Sequence, residues 1–277
     1  MIEIRHKKTG EVLLRRETSS LANADLPYVN LFEANLSGMD LTGADLSGAD
    51  LNETYLTGAL LSGAKLMGTC LWGANLTGAD LRGADLTAAR MWGVRLRDAK
   101  LDGADLTRAS LKGVDLSGAC LQNMKLFRAE LEEINLKDAD LAGADLTEAN
   151  LSHSILTGTD LRYVTLIGAN LAEADLRGAN LSNADLTRAN LYGAALQGAD
   201  LEGTLLLHTL FVRCSDLHLA TGLDQVDHVG PCSLDQQTLR AGIAYLPDAF
   251  LAGVGYSAEE VAALRTLYAG QAPQGRD

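Results

Sequence analysis

The chain is 277 residues long with a formal net charge of −13 at pH 7, few aromatics and 28 glycines. Such a balance disfavours a large globular core and argues against general affinity for nucleic acid or anionic membrane. No apolar run approaches the ~18 residues that a membrane-spanning helix needs, so no membrane contact is expected.

Residues 1–18 read as a β-hairpin cap. Ile2-Glu3-Ile4-Arg5 alternates apolar and polar residues, Lys8-Thr9-Gly10 signals a turn, and Val12-Leu13-Leu14 returns. A stack of repeats needs such a lid, because its first layer otherwise exposes a strand edge.

From Leu21 to Leu206 every fifth residue is leucine, Met91 being the one exception. Two positions earlier sits a small residue, usually alanine, and between them Asp or Asn is most frequent, as in Ala79-Asp80-Leu81-Arg82-Gly83. Side chains alternate faces along a strand with period 2, so an odd period of five forces the chain to turn after each unit if every leucine is to face inward. Gly, Ser and Thr crowd the two positions after leucine, and the Asp or Asn can bond nearby backbone; both suit turns. The expected centre is packed leucine, with no lumen and no cleft for a substrate.

These units resemble the pentapeptide-repeat family, whose signature is Ala-(Asp/Asn)-Leu-X-X in tandem. The resemblance implies an all-β fold, a right-handed quadrilateral β-helix over residues 19–208 with four units per coil. At ~4.8 Å per coil the rod is roughly 45 Å long. Residues 20 apart then stack in columns. Val94, Val114 and Ile134 form a column of larger inward residues that implies a local widening. Outward, Phe32, Trp72, Trp92 and Tyr192 share a column, and Arg82, Arg90, Arg95, Arg97 and Lys100 lie around the same coils as the tryptophans.

After Phe211 the repeat is lost, and residues 209–270 read as a helical cap. Ser233 with Gln236 and Ser257 with Glu260 have capping-box spacing, and Gly242 and Gly270 sit where helices should end. Val261, Leu264 and Tyr268 give the second helix one apolar stripe for the last coil. Residues 271–277 read as a disordered tail. The stretch Gly222-Leu223-Asp224, His228-Val229-Gly230-Pro231, Thr238-Leu239 and Leu246 to Gly255 resembles a module that follows pentapeptide repeats in larger bacterial proteins, often ahead of a Toll/interleukin-receptor-type domain. Cys232 and Ala252 depart from its pattern, which has serine and arginine there.

Four cysteines without a secretory leader point to a reducing, cytoplasmic setting. Cys214, His218, His228 and Cys232 form a weak zinc candidate: thiolates and imidazoles are suitable ligands, but the spacing matches no common zinc module. No metal or other cofactor is expected. Nor does any nucleophile elbow, phosphate-binding glycine loop or metal-protease helix occur, so the chain is read as a non-enzyme. The expected function is a scaffold or adaptor for a protein partner, with Trp72, Trp92, Arg90, Arg95 and Arg97 as contact candidates, since Trp and Arg often anchor interfaces. The resemblance adds two alternatives. One is a DNA-mimic that binds DNA gyrase or another topoisomerase, as certain family members do, with a homodimer formed through the C-terminal cap. The other is a regulatory or recognition subunit for a separately encoded effector.

Overall fold

A computed structural model describes residues 1–269. The repeat residues form a solenoid in which, from Asp25–Asp45 through Asn190–Leu210, units bridge in parallel to the residue 20 positions on, except at Arg95 and Lys100. Four units therefore complete a coil. Within a unit the amide of the small residue donates back to the leucine carbonyl, as Ala44 N to Leu41 O at 3.0 Å, closing a β-turn. The turn residue before it has positive φ throughout; glycine takes this conformation freely at Gly78, whereas Ala88 is held in it at φ 56°. The Asp or Asn ahead of the leucine secures the same corner by accepting the amide two residues on, as Thr42 N to Asp40 Oδ1 at 3.1 Å.

The leucines and small residues pack inward and are almost wholly buried. Where threonine replaces alanine inside, its hydroxyl donates to a leucine carbonyl: Thr159 to Leu136 and Thr209 to Leu186, both at 2.8 Å. These buried hydroxyls are each given a partner, which offsets their desolvation cost.

At the N-terminus β1 (Ile2–His6) and β2 (Val12–Arg16) form the expected antiparallel hairpin, and β1 also pairs with β3 (Ala34–Asn35). Ile4 is buried against the first leucines. Glu33 ties the hairpin down by meeting His6 at 3.0 Å and Lys8 at 2.5 Å.

The C-terminal region differs from the expected helical cap over 209–270. The solenoid runs one irregular coil further: β4 (Leu205–Leu206) pairs in parallel with β6 (Asp227–His228), and β5 (Leu210–Phe211) with β7 (Ser233–Leu234). Bridge spacing grows from 20 residues to 21 at Asp200–Thr221, 22 at Leu205–Asp227 and 23 at Leu210–Ser233. Backbone bridging does not require leucine every fifth residue, and this coil lacks that mark. Helices begin only at α1 (Gln236–Gly242), followed by α2 (Asp248–Val254), which has no counterpart in the sequence reading, and α3 (Ala258–Tyr268). Ser233 is not a cap, since its backbone is taken up by β7; Asp235 caps α1 by accepting Thr238 N at 2.9 Å. Ser257 and Glu260 do form a capping box on α3, whose Val261 and Tyr268 are buried with Leu264 partly so. Gly270 and the tail at 271–277 lie outside the described residues.

The leucine-filled rod is interrupted once. Leu76 N donates to Arg95 O and Leu81 N to Lys100 O, each at 2.8 Å, but at the next step Leu96 and Leu101 make no such bond to Asp115 and Cys120. The amides of Gly93, Asp98 and Gly103 likewise miss the carbonyls of Lys112, Ser117 and Gln122, and those of Asp115 and Cys120 miss Val94 and Ala99. The ladder stays closed on the other sides, by Met91 N to Ser110 O and Leu106 N to Lys125 O at 2.8 Å. Two adjacent faces of one coil junction are therefore parted, as in a wedge. Inward bulk accounts for it: Val94, Val114 and Ile134 replace alanine in one column over three successive coils, Met124 does so on the opposite side between Val114 and Ile134, and a small void lies among Leu101, Leu116, Leu121, Met124 and Ile134. The widening expected from the Val94 column is present, but as a parting between coils, and it overturns the expectation of a rod without a cleft.

Candidate protein-binding surface

Two outward features occur on neighbouring coils. In the first, the column position of Trp72 and Trp92 places their rings one coil apart, each 54% exposed. Asn52, Cys70 and Arg90 complete a hollow of about 340 Å³ between and beside them. The rings are held. Trp72 N donates to Asn52 Oδ1 at 2.8 Å, and the Trp92 indole N–H donates to Ser110 Oγ at 2.5 Å. The hollow is walled by apolar rings with one guanidinium at its edge, the composition of an interface anchor.

The second is the open seam, a cleft of about 1050 Å³. Arg95, Arg97 and Lys100 rise on one lip, Asp115 and Ser117 on the other, and Leu96, Ala99, Leu116 and Ala119 form the floor. The five residues proposed as one belt from the sequence are thus divided. Trp72, Trp92 and Arg90 share the hollow, while Arg95 and Arg97 belong to the seam. Arg97 meets Asp98 at 3.7 Å at a highly exposed position, and Arg82 is drawn away by Asp80 at 2.6 Å. The seam carries no signal in the leucine period; only the run of larger inward residues marks it.

The weak zinc candidate is not assembled. Among the described residues no three His, Cys, Asp or Glu side chains converge on a possible metal position. Cys214 is buried, its thiol lies 3.0 Å from Leu191 O, and burial pushes its pKa up to about 12, so the thiolate is strongly disfavoured. Cys232 is raised in the same direction by burial. His218 stacks on Tyr245 at 5.5 Å and His228 tilts against Phe250 at 5.4 Å. These histidines dock α1 and α2: a methyl group on Gly242 would lie 2.7 Å from His218 Cβ, and one on Gly253 would lie 2.0 Å from His228 Cδ2. No helix among the described residues is long and apolar enough to cross a membrane.

Comparison with known proteins bears on the scaffold. The family described as pentapeptide repeats matches in eight copies over residues 19–58, 44–83, 55–93, 64–102, 93–124, 125–162 and 165–203. No curated protein matches the chain. A trypsin-treated form of QnrB1, a plasmid-mediated fluoroquinolone resistance protein, aligns with a TM-score of 0.54 at 19% identity over 72% of this chain and 96% of its own. A pentapeptide repeat protein from the Arabidopsis thaliana thylakoid lumen aligns at 30% identity over 43% of this chain and 68% of its own, with a TM-score of 0.28. The pentapeptide repeat protein Rfr23 from the cyanobacterium Cyanothece 51142 does so at 25% identity over 46% and 88%, with a TM-score of 0.21. Family match, 20-residue bridge spacing and buried leucine ladder agree: the chain belongs to the pentapeptide-repeat family.

Proposed function

We propose that the protein is a non-enzymatic scaffold that binds a protein partner through the paired rings of Trp72 and Trp92. The observation carrying this reading is the hollow they form with Asn52, Cys70 and Arg90, two large apolar side chains held half-exposed on a rigid rod. Rigid aromatic anchors lose little conformational entropy on binding and fill partner pockets well. The test is affinity capture from the native host with the full chain and with a Trp72→Ala/Trp92→Ala double variant. A specific protein retained by the parent and lost by the variant is expected; an unchanged set of captured proteins overturns the reading.

A second reading, a DNA mimic directed at gyrase, has support in the charge of −13 and in a fold shared with a fluoroquinolone resistance protein. Arg90, Arg95, Arg97 and Lys100 interrupt the acidic field of such a mimic, which is why it ranks second. Protection of gyrase supercoiling from a fluoroquinolone by the purified chain would reverse the order.

A further inference from the structure

We propose that the open seam between residues 93–103 and 112–122 is a docking site for an extended polypeptide segment, taken up as an additional strand between two coils of the rod. The missing bonds define the occupant. One lip presents the amides of Gly93, Leu96, Asp98, Leu101 and Gly103 with the carbonyls of Val94 and Ala99. The other presents the carbonyls of Lys112, Asp115, Ser117, Cys120 and Gln122 with the amides of Asp115 and Cys120. Each lip is the edge of a parallel ladder, and the two edges are complementary to each other. A strand laid between them in the chain's own direction therefore meets donors on one side and acceptors on the other.

A small molecule with a few polar atoms satisfies little of this double edge, whereas a main chain repeats the required groups at the right interval. Each open face is about five residues long, ~16 Å at ~3.3 Å per residue. The cleft of about 1050 Å³ is as large as the upper range of small-ligand pockets, ~1,000 Å³, and suits a peptide. Its floor is apolar, with Ala119 only partly buried, so the segment points small or aliphatic side chains at Leu96 and Leu116 and polar ones outward between Arg95, Lys100 and Asp115. The rod's own repeat has that pattern, which makes it a suitable probe. Neither tryptophan lines the seam, so this site stands apart from the aromatic hollow and either can fail without the other.

The test has two stages on the full chain. In hydrogen exchange of the free protein, the amides of Leu96, Asp98, Leu101 and Gly103 are expected to exchange at least about 100-fold faster than those of Leu76, Gly78, Leu81 and Gly83, their equivalents one coil earlier. Equal protection overturns the proposal, whether the seam closes on itself or a second copy of the chain fills it. The second stage adds a fluorescent ten-residue peptide of two Ala-Asp-Leu-Thr-Gly units. Saturable binding with slowed exchange at those four amides is expected, as is weakening by about 10–30-fold when both leucine nitrogens of the peptide are methylated. No binding, or equal binding by the methylated peptide, overturns it. The Trp72→Ala variant, which alters the aromatic hollow and leaves the Trp92–Ser110 bond across this coil junction intact, should bind the peptide as the parent does, which separates this result from the fate of the aromatic surface.

Discussion

The indole N–H of Trp92 donates to the hydroxyl of Ser110, 2.5 Å away on the following coil. Ser110 is 8% exposed and its backbone bridges Arg90, so the bond crosses the coil junction on the side that stays closed beside the seam. One tryptophan is therefore both surface and fastening. Trp92→Phe keeps the apolar face and removes the bond, leaving the Ser110 hydroxyl with less satisfaction. A loss of about 0.5–1.5 kcal/mol in urea unfolding is expected with partner capture retained, whereas Trp92→Ala should lose capture.

Acid should loosen the rod through its corner aspartates. Guanidinium bonds from Arg82, Arg162 and Arg177 hold Asp80, Asp160 and Asp175 below the ordinary carboxylate range, against burial that raises them. Thr42 and Ser47 do the same for Asp40 and Asp45, first through bonds to their side chains. A lowered folded-state pKa means that the stabilisation is fully present above the ordinary aspartate value of 3.8 and is lost as pH falls through the folded-state value. Thermal melts should be flat in this contribution from pH 7 to about 5 and decline steeply below about pH 4.

The C-terminal helices should respond to acid sooner. Burial lowers His218 and His228, opposed by the charges of Asp216 and Asp227, and three ring nitrogens of the pair are buried without a partner. The folded state prefers the neutral rings, so docking is fully stable above the ordinary histidine value of 6.5 and weakens as pH falls below it. Hydrogen exchange at α1 and α2 should accelerate between about pH 6.5 and 5 while the leucine ladder is unchanged.

Gly253→Ala tests the same docking sterically. Alanine favours a helix by about 1 kcal/mol, but its methyl would overlap the His228 ring at 2.0 Å. The clash should prevail, with a net loss of about 1–3 kcal/mol, and His228→Ala in the same chain should recover much of it. Equal stability of Gly253→Ala and parent in denaturant would show that the ring moves aside freely.

Ala88→Gly should stabilise the rod. Ala88 sits at φ 56°, a left-handed conformation that costs an alanine about 1 kcal/mol, and glycine adopts it without that cost. After the greater chain entropy of glycine is deducted, a gain of about 0.5 kcal/mol is expected in chemical denaturation.

What the sequence made readable follows one physical line. A period of five, incompatible with an unbroken strand, requires a corner at every unit, and the buried leucines, Asp40-type turn bonds and Ser257–Glu260 capping box are all local consequences. The seam was not readable because it depends on a sum: Val94, Val114, Met124 and Ile134 are each acceptable inside a coil, and only their succession parts two coils. The coil over 212–234 escaped because its bridges need backbone position and not a residue type. Of the contact candidates, the column rule correctly neighboured Trp72 and Trp92, but it assigned Arg95 and Arg97 to their surface although those residues turn the corner onto the seam.

The lengthening of the last bridges from 20 to 23 residues also governs growth. Coils of constant length present identical edges, and two such rods can add end to end without limit, as fibrils do. By drifting out of step, the final coil offers an incoming rod no matching register, and α1 and α2 then occupy the layer above Phe211. Among the described residues, this end of the rod therefore presents helix surfaces, such as the one bearing the 65% exposed Leu267, in place of a repeat-matched strand edge.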